Sequence, residues 1–149
     1  MTMNDLEEFQ KSLGDNFEGN IGIYHKWLFF NSKTYTDINK MDSIKFSKQS
    51  KIKRCFDNCI KIAIRHPELK YIEGHVSCFG IPLEHAFLVN DNNEIIDPTL
   101  AISTNREVER YGDQYYGVEI PREVLIKYRH RENIYTPIPY LYWEEMNKK

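Results

Sequence analysis

Cys55, His85 and Asp97 are the residues of this chain whose types and spacing could do chemistry. The histidine follows the cysteine by 30 positions, and the aspartate follows the histidine by 12. A thiol, an imidazole and a carboxylate supply a nucleophile, a base and a group that orients the base, the three parts of an activated cysteine. Brought together, they would let Cys55 attack an amide or ester carbonyl. His85 would protonate the leaving group, and Asp97 would hold the ring in one tautomer. The resulting thioester would pass to water or to an amine. This chemistry calls for no cofactor, and its expected partner is a protein or peptide substrate.

Three elements must position these groups. From Ile52 to Ile64, small or apolar residues recur at Ile52, Cys55, Phe56, Cys59, Ile60, Ala63 and Ile64, the series of one buried helix face. Ser50 is a candidate cap for this helix, and Pro67 stops it. Cys55 therefore lies near a helix start, where the partial positive charge favours thiolate. Lys51, Lys53 and Arg54 add positive charge nearby. His85–Asn90 and Glu94–Asp97 read as two strands joined at Asp91-Asn92-Asn93. Opposed residues of an antiparallel pair share a face, so His85 and Asp97 can meet only across a loop with an odd number of residues. A three-residue loop sets Phe87 opposite Asp97 and His85 on the diagonal, roughly 7–8 Å away between backbones. Such loops end in the left-handed region, which Asn93 tolerates.

The other elements follow from local pattern. The polar start, with Asn4 and Glu7 as a capping pair, predicts a short helix through about Leu13. Residues Ile21 to Phe30, rich in β-branched and aromatic side chains, read as a strand, and Asn31 to Asp42 as a loop. Tyr71 to Phe79 and Tyr115 to Ile120 read as further strands, with a turn at Gly80-Ile81-Pro82. Pro121 opens a helix to about His130. Tyr135 to Trp143, with Pro137 and Pro139, reads as an extended strap.

Composition sets limits on all of this. A chain of 149 residues suits one domain with a core that needs no disulfides. A formal charge of −2 gives no global attraction to nucleic acid or to an anionic membrane. No apolar run reaches the length of a bilayer span, and the acidic N-terminus does not read as a signal peptide. Three cysteines, an odd and small number, fit reduced thiols in a cytoplasmic protein.

Cys on a helix, His85-Ala86-Phe87 on a strand and Asp97-Pro98-Thr99 on the next resemble the transglutaminase-like branch of the papain-like cysteine hydrolases. The pattern there is usually His-Ala-Trp followed by Asp-Pro-Thr. Tyr71-Ile72-Glu73-Gly74 and Tyr116-Gly117-Val118 are also similar to small bacterial and phage proteins of this type. The resemblance spans residues ~50 to ~125. It implies a single α+β domain with a papain/transglutaminase-like core, in which a cysteine-bearing helix packs on an antiparallel sheet. It also implies Cys55 as nucleophile, His85 as base, Asp97 as orienter and Gln49 as an oxyanion-hole donor beside the Cys55 backbone N–H. Two departures stand out. Phe56 replaces the tryptophan that often adjoins the cysteine, and Cys59 lies one turn along the same helix face. Both also fit an inactive protein-binding module on the same fold. A zinc site of His75 and Cys78 with Cys55, Cys59 and His85 is disfavoured, because His75 and Cys78 fall on opposite faces of a strand.

Overall fold

Alternating side chains along residues 70–89 give the fold its centre. The computed structural model describes residues 5–103 and 111–148. In chain order its elements are α1 (Asp5–Asn16), α2 (Gly19–Asn31), β1 (Ser32–Tyr35), α3 (Lys40–Ser47), α4 (Cys55–Arg65), β2 (Lys70–Cys78), β3 (Ile81–Val89), β4 (Ile95–Ile96), α5 (Pro98–Ser103), β5 (Gln114–Ile120), α6 (Arg122–Tyr128) and α7 (Ile138–Met146). The five strands form one antiparallel sheet in the order β1-β5-β2-β3-β4, so the chain is an α+β protein. Asn4, proposed as a cap for the first helix, lies outside the described residues.

Both sheet faces are covered. Tyr71 of β2, Ala86 and Leu88 of β3, and Val118 and Ile120 of β5 face one cluster. There α4 contributes Cys59, Ile60, Ile62 and Ala63, α6 contributes Val124 and Leu125, and α7 contributes Ile138 and Trp143. The other face carries Ile72, Val76, Phe87, Val89, Ile95 and Tyr115, packed with Tyr35. A fully buried Ile or Leu side chain contributes roughly 1.5–3 kcal/mol, so these two layers fix the register. Among the described residues, no helix is long and apolar enough to cross a membrane.

Two hairpins set the site. β2 and β3 pair from Lys70↔Val89 to Cys78↔Ile81 around Phe79-Gly80, and both of these residues have positive φ (53° and 76°). That is the twist-matching two-residue turn, so Ile81 and Pro82 belong to the strand and not to the turn. β3 and β4 pair as Leu88↔Ile96 and Val89↔Ile95. Asn90 and Glu94 extend the pairing by one bond, and the three residues between them close with Asn93 at φ 63°. The Asn93 and Asn90 N–H groups donate to Asn90 O and Glu94 O.

The structure corrects several sequence expectations. Ile21 to Phe30 is helix α2, not a strand. Its apolar residues lie on all sides, so the helical period is hidden and residue type alone misleads. β1 and the first residues of α3 occupy the segment expected to be loop. The terminal strap is helix α7, which begins after Pro137 and carries Pro139 in its first turn, where a proline is tolerated. α4 starts at Cys55 rather than Ile52. Ile52 is left exposed, and Arg54, not Ser50, takes the cap position.

Candidate active site

Asp97 stands between β4 and α5, and this position explains its environment. As the residue before Pro98 it caps the helix. Its Oδ1 accepts from the Leu100 N–H (3.1 Å), and its carbonyl accepts from the Ala101 N–H (3.2 Å). Its Oδ2 meets His85 Nε2 at 2.8 Å and accepts from the Tyr115 hydroxyl at 2.7 Å. Its own N–H donates to Ser43 Oγ at 2.9 Å. Asp97 is wholly buried and His85 is 5% exposed, so the ion pair is shielded from water. The diagonal placement required of the three-residue loop is the one observed: Phe87 stands level with Asp97, and the His85 and Phe87 rings lie 18° from parallel, 6.5 Å apart.

Cys55 arrives from the other side. α4 lies over Ala86, whose carbonyl accepts from Cys59 Sγ at 3.5 Å. One turn earlier, Cys55 comes close enough to His85 to help raise its imidazole. Asp97 engages Nε2, which leaves Nδ1 for the thiol. Cys55 is the first residue of α4, and the first helical bond runs from the Asn58 N–H to Arg54 O at 2.9 Å. The N–H groups of the opening turn therefore have no partner within the helix. Asn58 fixes the approach to this turn. Its Oδ1 accepts from the Lys51 N–H (2.9 Å), and its Nδ2 donates to Lys51 O (2.7 Å) and Thr99 Oγ1 (2.9 Å). The segment before the thiol is thus tied to the helix that Asp97 caps.

Electrostatics follow the geometry. Burial alone pushes the His85 imidazole down. The Asp97 charge, the hydrogen bond to Asp97 and the contact with Cys55 outweigh burial and raise it to about 10. The ring is therefore an imidazolium at neutral pH. Burial, reinforced by the Asp97 charge, holds the Cys59 thiol well above its ordinary value, so the second cysteine of the helix stays undissociated. His75 is pushed down to about 4, chiefly by burial, and is neutral. Gln49 is exposed on the turn after α3.

A cavity of about 630 Å³ opens beside this cluster. Cys55 does not line it, but both chain neighbours, Arg54 and Phe56, do, as does Gly74, directly opposite His85. Glu73 is buried in its wall, on the sheet face that packs against α4. Sequence reasoning gave Glu73 no role and missed Tyr115, Ser43 and Asn58. Among the residues that hold the cluster, only Thr99 had a local signal, within the Asp97-Pro98-Thr99 run. Comparisons with protein-family models, with curated proteins and with solved structures gave no match.

Proposed function

We propose that this chain is a cysteine-dependent acyl-transfer enzyme of the transglutaminase-like, papain-like kind, acting on a protein or peptide carbonyl. One observation carries the reading. A buried imidazole is held at Nε2 by Asp97 at 2.8 Å, and the thiol that opens α4 lies close enough to act on that ring. The Cys55 sulfur, its proton already resting on the His85 imidazolium, attacks the carbonyl carbon. The N–H groups of the first turn of α4 stabilise the oxyanion. The tetrahedral species collapses as His85 Nδ1 returns the proton to the leaving amine, and the thioester remains on Cys55. Water or a second amine then gives its proton to the now neutral His85 and attacks the thioester, and cleavage of the C–S bond returns the sulfur to its place beside the imidazolium. Asp97 stays ionised throughout and stabilises the imidazolium.

Iodoacetamide at neutral pH tests this reading. Cys55 should alkylate much faster than the half-exposed Cys78 and the buried Cys59. His85→Ala should remove most of that advantage while leaving Cys78 unchanged. Equal rates at Cys55 and Cys78, or no effect of His85→Ala, would overturn it and leave the protein-binding module.

A further inference from the structure

Outside the candidate active site, positive charge is least balanced in a groove of about 300 Å³ between α4 and α6. Asp57, Lys61 and Arg65 follow one another at every fourth position along one face of α4 and line this groove. Arg129 and His130 line it from the end of α6. Arg122 donates from its two terminal nitrogens to Ala63 O (2.8 Å) and Ile64 O (2.7 Å), which fixes α6 against the last turn of α4. Ile60 and Ile64 give the groove an aliphatic floor.

Lys61, Arg65, Arg129 and His130 are all exposed, and among the described residues none of them forms an ion pair. Elsewhere exposed lysines are matched: Lys11, Lys70, Lys127 and Lys148 meet carboxylates at 2.7, 3.9, 2.6 and 3.8 Å. Asp57, the one carboxylate among the described lining residues, lies 3.7 Å from Arg54 and is shared with it. The groove therefore concentrates positive charge on a chain whose formal charge is −2. A single exposed ion pair contributes little, but several cations around one concavity act together on an anion that enters it.

The floor chooses among anionic partners. A nucleic-acid strand is held by aromatic faces on which its bases stack, and this floor is aliphatic. Cations around an aliphatic floor match a peptide in which carboxylates flank an apolar side chain, and arginine holds a carboxylate through two parallel bonds. We infer that this groove docks an acidic peptide segment of a protein partner, with Arg65 and Arg129 holding its carboxylates. The inference goes beyond the acyl-transfer reading and does not depend on it. Asp57 lines both the groove and the 630 Å³ cavity, so a partner docked here lies next to the candidate active site.

NMR titration of the full chain tests it. The probes are the end-blocked peptide Glu-Glu-Leu-Glu-Glu, its counterpart with glutamine for each glutamate, and a thymidine oligonucleotide of equal charge. The acidic peptide should perturb the resonances of Lys61, Arg65, Arg129 and His130 and bind on the order of tenfold more tightly than the glutamine peptide. That preference should shrink severalfold when salt is raised from about 0.05 to about 0.5 M. Arg65→Glu and Arg129→Glu should each abolish it. Lys48→Glu, an equal change of charge at an exposed residue outside the groove, should leave it intact. Equal affinity for the two peptides, binding of neither at millimolar concentration, an oligonucleotide that binds as tightly as the acidic peptide, or a preference that survives both arginine variants would each overturn the inference. The comparison of the probes on the parent chain decides even if a variant fails to fold. Iodoacetamide labelling scores the acyl-transfer reading separately, since an inert Cys55 leaves the peptide preference untouched.

Discussion

The Tyr115 hydroxyl and the His85 ring share a single acceptor, Asp97 Oδ2, at 2.7 and 2.8 Å. Tyr115 also accepts from the Gly112 N–H at 3.1 Å, so it links the start of β5 to the carboxylate. A hydrogen bond to a charged group contributes about 1.5–3 kcal/mol. Tyr115→Phe should lower stability by about that amount in urea unfolding. It should slow Cys55 alkylation by less than Asp97→Asn does, because His85 keeps its acceptor. A variant as stable as the parent would show that the phenol is not a support.

Asn58 makes three hydrogen bonds to groups 7 and 41 positions away. At about 1 kcal/mol net for each bond, Asn58→Ala should cost about 3 kcal/mol. The loss should also appear locally, as faster amide exchange at residues 51–55 and slower alkylation of Cys55 relative to Cys78. If alkylation of the two thiols changed in step, Asn58 would be a support for the whole fold rather than for the thiol.

The His85–Asp97 pair makes stability depend on pH with a definite sign. The folded imidazole is raised to about 10, above its ordinary 6.5. The folded state therefore holds a proton that the unfolded state releases above 6.5. The pair contributes fully below that value, and its contribution falls as pH rises towards 10. The stability gap between the parent and Asp97→Asn, measured by urea unfolding, should be widest near pH 6 and narrow by pH 10. A gap that is constant over this range would refute the coupling.

Gly74 stands opposite both His85 and Gly117, where three strands crowd together. A Cβ there would lie 2.2 Å from Tyr116 O and 2.5 Å from Gly117 Cα, both backbone atoms. β2 and β5 would have to separate. Gly74→Ala should cost at least the 1–3 kcal/mol typical of overpacking, read as a lower urea midpoint. A neutral substitution would mean that the ladder between these strands gives way easily.

The His85–Asp97 contact was legible because it depends on parity. Three residues between two alternating strands leave one arrangement of faces, and Asn93 could adopt the closing conformation. The buried face of α4 was legible from the spacing of Cys55, Cys59 and Ala63, but its start was not, because Ile52 fits the same spacing and yet is exposed ahead of the helix. Tyr115, Asn58 and Ser43 were not, because each finds its partner 18, 41 or 54 positions away and no local pattern records such a meeting. α2 misled for a different reason. Tyr24 and Leu28 face the core, but Ile21, Ile23 and Phe30 are exposed, so the apolar residues mark no single side. Gln49 was assigned by analogy of position, and the turn after α3 turns it outward.

Cys59, sealed against the Ala86 carbonyl, has a bearing on oxidative damage. A sulfenic acid formed on Cys55 would need a nearby thiolate to trap it as a disulfide. The thiol one turn along its own helix is buried and held in the undissociated form. Repair of an oxidised Cys55 by that route is closed, and a small thiol entering from solvent would have to take its place.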